Sequence, residues 1–358
     1  GQGLAIMAKA GDDVLVYDGG NSDAASYFVS YLKDEGVEDI DYMIASHYDA
    51  DHLNGLVGAL HAFDTETIIA PDYKHNSKLY TSFYNTLSSQ NKEVTYPEVG
   101  QEYEFGEGSF TVLGPTQIRD DSNNNSVVVR LDYGDTSFLF TGDAESKEEK
   151  DIIAANEDLY CDVLSVGHHG SASSTSWDFL EAVLPEYAVI SCGVNNSYGH
   201  PDPDTIEKLE SIEAQIFRTD LQGNIIAISD GETITWNNVP SNGEVLYAAD
   251  FVSVKEEPND TSSTVGELGP GNQIQVLNRN DNDWATIVFN GATTYIPSSS
   301  LSDIDPQMMT QAAPTQPVGN MVWLSATGSK YHSRNNCGNM NPANARQVTE
   351  SDAVSQGY

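Results

Sequence analysis

Basic residues are scarce in this sequence, which holds 16 Lys and Arg against 54 Asp and Glu and carries a formal net charge of -38. The imbalance is concentrated in residues 1–239, which hold 11 basic and 42 acidic residues. Such a surface repels polyanions at long range and lowers their rate of association. A nucleic-acid substrate would need metal ions, salt screening or a local basic patch. Otherwise the acidity serves solubility, or tolerance of salt or acid outside the cell.

Cysteines and long apolar runs are also few. Cys161, Cys192 and Cys337 form no paired framework, and the first two lie in apolar surroundings that predict small core residues. No run of about 18 apolar residues is present, so we predict no membrane span. The sequence begins at Gly1 without a Met or a signal peptide, and we expect a preceding strand or export signal to have been removed.

The densest group of metal-ligand residues lies in Ser46–Leu56, where four potential ligands fall within six residues. They are His47, Asp49, Asp51 and His52. An apolar run before them predicts a buried strand, and apolar residues at helical spacing follow them. A turn between the two lets the side chains converge, which a strand with alternating faces does not. Imidazole and carboxylate ligands suit zinc, or manganese where oxygen dominates.

This pattern resembles the metallo-β-lactamase signature His-x-His-x-Asp-His, with Asp49 in place of the second His. The variant is similar to the one in the extracellular domain of competence DNA-uptake channel proteins, and teichoic-acid phosphocholine esterases resemble it too. Gly-Gln-Gly at residues 1–3, two strands and Asp-Gly-Gly at residues 18–20 resemble the opening of the same family. The resemblance implies an α/β fold, an αββα sandwich, over residues 1–239. The exchange of nitrogen for oxygen at residue 49 favours manganese more than the usual signature does.

Three later motifs resemble the family's remaining ligand clusters. Thr-Gly-Asp ending at Asp143 follows an apolar strand and matches the second metal motif. The run Gly-His-His-Gly at residues 167–170 resembles the third. His200 stands before a proline, which holds it extended, and by the resemblance it is the last ligand.

The resemblance implies seven ligands and two divalent ions, zinc or manganese. The first ion takes His47, Asp49 and His169, the second takes Asp51, His52 and His200, and Asp143 bridges them. A hydroxide held between the two ions is a nucleophile at neutral pH, and the pair clamps a phosphoryl group during in-line displacement.

Five residues are predicted to act on the substrate rather than only on the ions. Asp51 is expected to orient the hydroxide. His168 is not needed as a ligand, so we expect it to contact a phosphate oxygen or to protonate the leaving group. Asn195, Asn196 and Tyr198 precede the last ligand and are expected to line the substrate pocket.

Two further histidines fall outside these motifs. His61 lies on the helix after the ligand turn and is predicted to be structural. His75 is predicted to be a surface-loop residue, with a role at the site as the alternative reading.

Residues 245–304 contain short apolar strands separated by turn residues, and they predict a small all-β barrel. The strands, together with Pro258, Gly271 and Trp284, resemble a bacterial SH3-like domain. Such domains commonly bind cell-wall peptides, so the resemblance implies peptidoglycan as a partner.

The last part of the chain divides into a linker and a tail. Residues 305–319 are rich in Pro, Gln, Thr and Ala and predict an extended linker. Residues 320–358 resemble a truncated Cys/His module. It holds only His332 and Cys337, too few ligands for a closed four-ligand site, so we predict no metal there.

These features predict a secreted, metal-dependent hydrolase that is extracellular or associated with the cell wall. DNA is the first candidate substrate, because the resemblance is to a DNA-uptake domain, and this makes the enzyme a phosphodiesterase or nuclease. An esterase acting on teichoic-acid phosphodiesters is the alternative, which the wall-binding resemblance and the negative charge favour. A wall-binding protein that has lost catalysis is a third possibility, and the complete ligand set argues against it.

Overall fold

A computed structural model describes residues 2–156, 158–238, 240–279, 283–289, 292–303, 306, 321–324, 330–333 and 342–357. Cys337 and all of the predicted linker except residue 306 lie outside these residues. Within the described part of the chain, no helix has the length and apolar character that a membrane crossing requires.

The first 95 residues form a five-stranded sheet with helices on one face. The strands are β1 (Ile6–Ala10), β2 (Asp13–Tyr17), β3 (Asp39–Ile44), β4 (Asp64–Ile69) and β5 (Val94–Thr95), and the helices are α1 (Ala25–Asp34), α2 (Ala50–Ala62) and α3 (Lys78–Ser89). The strands lie in sequence order, and β1 is antiparallel to β2 whereas the others run parallel. Phe28, Leu53 and Phe83 bury the helices against this sheet.

The second sheet has seven strands in the order β12-β11-β10-β9-β8-β7-β6. Its strands are β6 (Glu102–Phe105), β7 (Gly108–Gly114), β8 (Val128–Tyr133), β9 (Thr136–Phe140), β10 (Val163–Ser165), β11 (Tyr187–Ile190) and β12 (Gln215–Arg218). Its helices are α4 (Ser146–Ala155), α5 (Trp177–Val183), α6 (Pro203–Ser211) and α7 (Thr219–Gln222), and a hairpin of β13 (Ala227–Ser229) and β14 (Ile234–Trp236) follows. Strands β9 to β12 are parallel, whereas β6 to β9 are antiparallel.

The two sheets pack face to face through an apolar layer. Leu15, Tyr17 and Ile44 enter it from the first sheet, and Val129 and Phe140 enter it from the second. Each fully buried side chain of this kind contributes about 1.5–3 kcal/mol of transfer free energy. Separate apolar clusters join each sheet to its own helices. The predicted αββα sandwich is therefore confirmed.

Close packing of backbone fixes the start of α2 against the end of β2. A Cβ atom added to Gly55 would lie 1.9 Å from the carbonyl oxygen of Gly19, and one added to Gly19 would lie 2.3 Å from the nitrogen of Leu56. The Gly19 N–H donates to the carbonyl oxygen of His52 at 2.7 Å. Gly55 is therefore required in the ligand motif because it allows the backbone contact that sets the position of His52.

Beyond residue 243 the chain forms an all-β unit. Its strands are β15 (Glu244–Ala248), β16 (Val252–Lys255), β17 (Thr264–Leu268), β18 (Gln273–Arg279), β19 (Trp284–Phe289), β20 (Ala292–Pro297) and β21 (Leu301–Ser302), in the order β17-β16-β20-β19-β18-β15-β21. Leu246, Val254, Ile287 and Ile296 form its core. Its likeness to an SH3-like domain remains a prediction.

The segment that joins the two units forms hydrogen bonds with β12, the edge strand of the second sheet. The Ser241 N–H donates to the carbonyl oxygen of Ile216 in β12 at 2.5 Å. The Asn242 side chain accepts from the Ile216 N–H at 2.8 Å and donates to the carbonyl oxygen of Ala214 at 3.0 Å. A cut at the expected boundary, residue 239, would remove these partners of β12.

The described part of the tail forms a three-stranded sheet and a short helix. These are β22 (Met321–Leu324), β23 (Tyr331–His332), β24 (Arg346–Thr349) and α8 (Glu350–Ser355), with β22 in the middle of the sheet. His332 lies on β23, whereas Cys337 is outside the described residues, so the absence of a tail metal remains a prediction.

Candidate metal centre

Four imidazole rings converge on Asp143, which follows β9 and is buried. Asp143 Oδ1 lies 3.2 Å from His52 Nε2 and 3.6 Å from His169 Nε2. Asp143 Oδ2 lies 3.9 Å from His47 Nε2 and 3.8 Å from His168 Nε2. Each carboxylate oxygen therefore faces two imidazole nitrogens.

The other ring nitrogen of each histidine has its own partner. The Nδ1 contacts are Ser46 Oγ at 3.0 Å for His47, Asp18 Oδ2 at 2.8 Å for His52, the Ser191 carbonyl oxygen at 2.9 Å for His169, and Ser173 Oγ and Glu145 Oε1, each at 3.2 Å, for His168. Such outer contacts fix the ring orientation and the tautomer of metal-binding histidines. The four Nε2 atoms are thereby directed at the centre.

Several buried atoms at this centre have no hydrogen-bond partner among the described residues. They are Nε2 of His47, His52 and His169, and Oδ1 of Asp143. Buried polar atoms are normally paired, so a cluster of unpaired nitrogen and oxygen acceptors is the arrangement that a cation completes. Two triads, His47, His52 and Asp143 and then Asp51, His52 and His169, each bring their ligand atoms within 4.8 Å of one another. The residues therefore fit divalent metal ions.

The charges of the centre agree with this fit. Burial alone would raise the pKa of Asp143, but the imidazoles of His52 and His169 hold it well below its usual value. Burial alone would lower the pKa of His52, but the carboxylates of Asp143 and Asp18 raise it well above its usual value. The buried carboxylates therefore need positive charge close to them. A divalent cation supplies that charge while the imidazoles stay neutral.

The structure groups the ligands differently from the expected partition. His169 Nε2 lies 3.4 Å from Asp51 Oδ2, which places His169 with Asp51 and His52 rather than with His47 and Asp49. The cause is local, because His168 and His169 both adopt left-handed backbone conformations, with φ values of 48° and 57°. This turn directs the two adjacent rings to different oxygens of Asp143.

Two sides of the centre can now be defined. The inner flank comprises Asp143 Oδ1 with Asp51, His52 and His169, and the outer flank comprises Asp143 Oδ2 with His47, Asp49 and His168. His168 was expected to be free for the substrate, but its Nε2 faces the outer flank as a fourth imidazole.

His200 was expected on the second ion together with Asp51 and His52. Its ring lies beside the histidine pair, 5.6 Å from the ring of His168 and 6.4 Å from that of His169, and it belongs to neither of the two triads. Its Nδ1 is buried and has no partner among the described residues. Burial, together with the nearby His168 and His169, lowers the pKa of His200, which favours the neutral form that binds metals.

Asp49 joins the outer flank to the solvent. Its Oδ2 lies 3.7 Å from His47 Nε2, and its side chain is 37% exposed. Its Oδ1 accepts a hydrogen bond from Ser122 Oγ at 2.8 Å and lies 3.5 Å from His75 Nε2. Burial opposes ionisation, but His47 and Ser122 bring the pKa of Asp49 down to about 2. His75, predicted as a surface-loop residue, thus lies at the rim of the centre.

Sequence reasoning missed three supporting residues. Asp18 is fully buried, and besides contacting His52 it accepts hydrogen bonds from the N–H and Oγ of Ser46 at 2.8 and 2.6 Å. Ser122 holds Asp49, and Ser126 Oγ accepts from the Asp143 N–H at 3.1 Å. The available signals were an Asp at the end of an apolar strand and the polar run 122–126 just before β8.

The predicted substrate residues differ in what their side chains contact. Asn196 Oδ1 accepts from the N–H groups of His200 and Tyr198 at 3.0 and 3.2 Å, and its Nδ2 donates to the Gly193 carbonyl at 3.0 Å. Asn196 therefore shapes the loop that presents His200. Tyr198 is 70% exposed, and its ring stacks on His200 with a centroid distance of 5.7 Å. Asn195 is exposed on the same loop.

Residues 1–194 match the family described as the metallo-beta-lactamase superfamily, and this match covers the sandwich and both flanks of the centre up to β11. The chain belongs to this superfamily. Members of the metallo-β-lactamase superfamily are generally metal-dependent hydrolases, and the convergent imidazoles and carboxylates of this chain fit that chemistry.

Three curated relatives are similar to part of this chain. Competence protein ComA of Neisseria gonorrhoeae is 32% identical over 231 residues, covering 62% of this chain and 30% of that protein. Recombination protein 2 of Haemophilus influenzae is 32% identical over 232 residues, covering 63% of this chain and 27% of that protein. ComE operon protein 3 of Bacillus subtilis is 28% identical over 198 residues, covering 55% of this chain and 26% of that protein. The chain thus spans less than a third of the length of each.

Proposed function

We propose that this chain is a metal-dependent phosphodiesterase that hydrolyses nucleic acid, with DNA as the first candidate substrate. The observation that carries the proposal is the convergence of four imidazole Nε2 atoms on the two oxygens of Asp143, each ring fixed from behind. Such a preorganised cluster serves hydrolysis because it needs no rearrangement when charge develops in the transition state.

The proposed metal-holding residues are the seven expected ligands together with His168. They are His47, Asp49, Asp51, His52, Asp143, His168, His169 and His200. Zinc or manganese, when bound there, supplies positive charge that polarises a phosphoryl group and lowers the pKa of water.

Asp51 is the proposed acceptor of the proton of the attacking water. Its carboxylate is ionised, since His169 and His52 overcome the effect of burial and lower its pKa. Its side chain is 29% exposed, so one oxygen can contact His169 while the other reaches water in the opening of the centre. His168 is oriented by Glu145 through Nδ1, and its Nε2, which faces Asp143 Oδ2, is proposed to hold a metal ion on the outer flank.

The preference for nucleic acid rests on two points. The ligand motif resembles that of DNA-uptake proteins, and two of the relatives carry competence or recombination in their names. In addition, Tyr198 presents an exposed ring stacked on His200, and aromatic rings of this kind bind bases of single strands by stacking. Teichoic acids have no bases, so the tyrosine gives no advantage for them.

The test is an activity panel of single-stranded DNA, double-stranded DNA, teichoic acid and bis-p-nitrophenyl phosphate, with zinc and manganese supplied separately. We expect turnover of the small diester and of single-stranded DNA. Cleavage of teichoic acid alone would establish the alternative esterase. Full metal loading without turnover of any diester would instead establish a binding protein.

For the C-terminal unit we propose attachment to peptidoglycan and an extracellular location. The all-β unit lies outside the site and carries none of its ligands. A chain that ends after Gly243 keeps the contacts of Ser241 and Asn242 with β12. It should no longer sediment with purified cell wall, whereas it should retain turnover of bis-p-nitrophenyl phosphate, since the removed residues include none of the proposed ligands. Unchanged sedimentation would refute the wall-binding role.

A further inference from the structure

A short basic segment lies between β4 and α3, beside the outer flank. Lys74, His75 and Lys78 fall within five residues of a chain that carries a net charge of -38. Strand β4 runs parallel to β3 and pairs with it up to Ile44 and Ile69, so the segment after β4 leaves the same edge of the sheet as the ligand motif after β3. The location of this positive charge is thus set by the topology.

His75 connects the segment to the centre. Its Nε2 lies 3.5 Å from Asp49 Oδ1, and its Nδ1 lies 3.0 Å from Ser77 Oγ. Ser77 Oγ also accepts the Tyr80 N–H at 3.1 Å as the N-cap of α3, and its own proton is then free for His75 Nδ1. The Nε2 atom of the ring is directed at Asp49. With a side chain that is 29% exposed, His75 presents its imidazole ring at the entrance of the centre.

Among the described residues, no carboxylate forms an ion pair with either of the two lysines. Six of the basic residues in residues 1–239 form ion pairs, namely Lys92, Arg119, Arg130, Lys147, Lys208 and Arg218. Lys74 and Lys78 are exposed, and neither forms an ion pair with another described residue. The acidic residue of the same loop, Asp72, is exposed as well and leaves the segment with a positive balance.

We propose that Lys74, His75 and Lys78 form a phosphate-binding strip that receives the backbone of a single-stranded nucleic acid and leads it to the outer flank. This inference rests on the proposed function. An overall charge of -38 repels a polyanion, so productive approach requires a local cationic surface next to the centre. Each lysine that contacts a phosphate releases a counterion and strengthens binding at low salt. His75 then contacts the phosphate nearest to the outer flank through its partly exposed ring.

The lysines are tested by the binding of a fluorescent phosphorothioate oligothymidylate to the metal-loaded full chain, measured by anisotropy at several salt concentrations. The strip variant combines Lys74→Gln and Lys78→Gln. The control variant combines Lys33→Gln and Lys150→Gln. The control pair is also exposed and outside every ion pair of the described residues, so both double variants have the same net charge. We expect the strip variant to lose about tenfold in affinity at low salt and to show a salt slope smaller by about 0.7 per lysine, and the control to match the wild type. Equal losses in both double variants would overturn the strip.

His75 is tested with His75→Gln, and His61→Gln on α2 serves as the control. We expect His75→Gln to raise the KM for single-stranded DNA several-fold, to weaken inhibition by inorganic phosphate equally, and to leave kcat and the bound metal unchanged. A loss of metal would make His75 a ligand and overturn its proposed contact with phosphate. If the wild type binds DNA through the strip but cleaves no diester, the proposed function fails and the strip stands. If it cleaves DNA and the strip variant binds like the wild type, the strip fails and the function stands.

Discussion

The inner and outer flanks of Asp143 share one carboxylate but differ in how their ligands are held. On the inner flank His52 is fully buried and backed by the buried carboxylate of Asp18, and His169 is nearly as buried and backed by a main-chain carbonyl. On the outer flank Asp49 is 37% exposed and is backed by the hydroxyl of Ser122. Rigid, charged backing favours tight binding of an ion, whereas an open flank admits substrate. Asp51 of the inner flank is also 29% exposed and His47 of the outer flank is fully buried, so the contrast lies between the His52–His169 pair and Asp49. The comparison assigns retention to that pair and access to the side of Asp49.

Asp143→Asn should have the largest effect, because it removes the charge that both flanks share while keeping the shape of the side chain. We expect the loss in metal affinity to exceed the roughly 10–100-fold that outer contacts typically cost. Elemental analysis of the purified variant should find far less than the wild-type metal content. Retention of two ions per chain would show that the flanks do not depend on a shared carboxylate.

His169→Ala and His168→Ala should each reduce metal content, the first on the inner flank and the second on the outer. We expect His169→Ala to abolish activity, since Asp51 and His52 lose their common partner. His168→Ala should keep the inner ion, which a chelator titration resolves as the slowly released fraction. If His168→Ala instead keeps both ions and lowers kcat by about 10²–10⁴-fold, His168 is an acid–base residue as first expected.

Asp18→Asn and Ser122→Ala measure how much the hydrogen-bond partner of a ligand contributes to metal affinity on each flank. Asp18→Asn keeps the shape but removes a buried charge behind His52, and we expect a loss of about 10–100-fold in metal affinity. Ser122→Ala should cost less, because water can replace the hydroxyl at a carboxylate that is partly exposed. Competition with a chelating dye gives both affinities, and equal losses would remove the contrast between the flanks.

Glu148→Gln should have a smaller effect, confined to the pH dependence of stability. Glu148 is fully buried on α4, its N–H donates to Asn124 Oδ1 in the segment that supports the outer flank, and burial raises its pKa to about 7. Between the unfolded pKa and about pH 7 the folded chain binds more protons, so the free energy of unfolding falls as the pH rises.

The glutamine variant should remove about 2–3 kcal/mol of this fall, since the pKa is raised from 4.5 to about 7 and one pKa unit corresponds to about 1.4 kcal/mol. Denaturant unfolding between pH 5 and pH 8 measures the slope, and Glu207→Gln, an exposed site on α6, is the control. An unchanged slope would mean that Glu148 is not the titrating group.

Individual strands and helices were predictable from local apolar periodicity, whereas the sandwich was implied by the resemblance to the metallo-β-lactamase family. The first ligand motif was predictable because His47 to His52 lie within one turn, and the resemblance implied the later motifs, including the His168–His169 pair. The partition of the ligands was not, because it depends on left-handed conformations at two non-glycine residues, which no local pattern indicates.

The supporting contacts were hidden because they join residues far apart in the sequence. Asp18 and His52 are 34 residues apart, and Ser122 and Asp49 are 73 residues apart. The role of the segment after β4 was hidden in a similar way. His75 looked like a loop residue because its neighbour Asp49 is brought to it only by the parallel pairing of β3 and β4.

The hydrogen bonds of Ser241 and Asn242 with β12 bear on how the edge of this sheet is protected from association. β12 is the outermost strand of its sheet, and an uncovered outer strand is a template on which another chain can add a strand. The segment after the hairpin covers part of that template with a serine and an asparagine side chain rather than with a further strand. A chain cut before residue 240 should therefore associate edge to edge and precipitate, even though every metal ligand is still present.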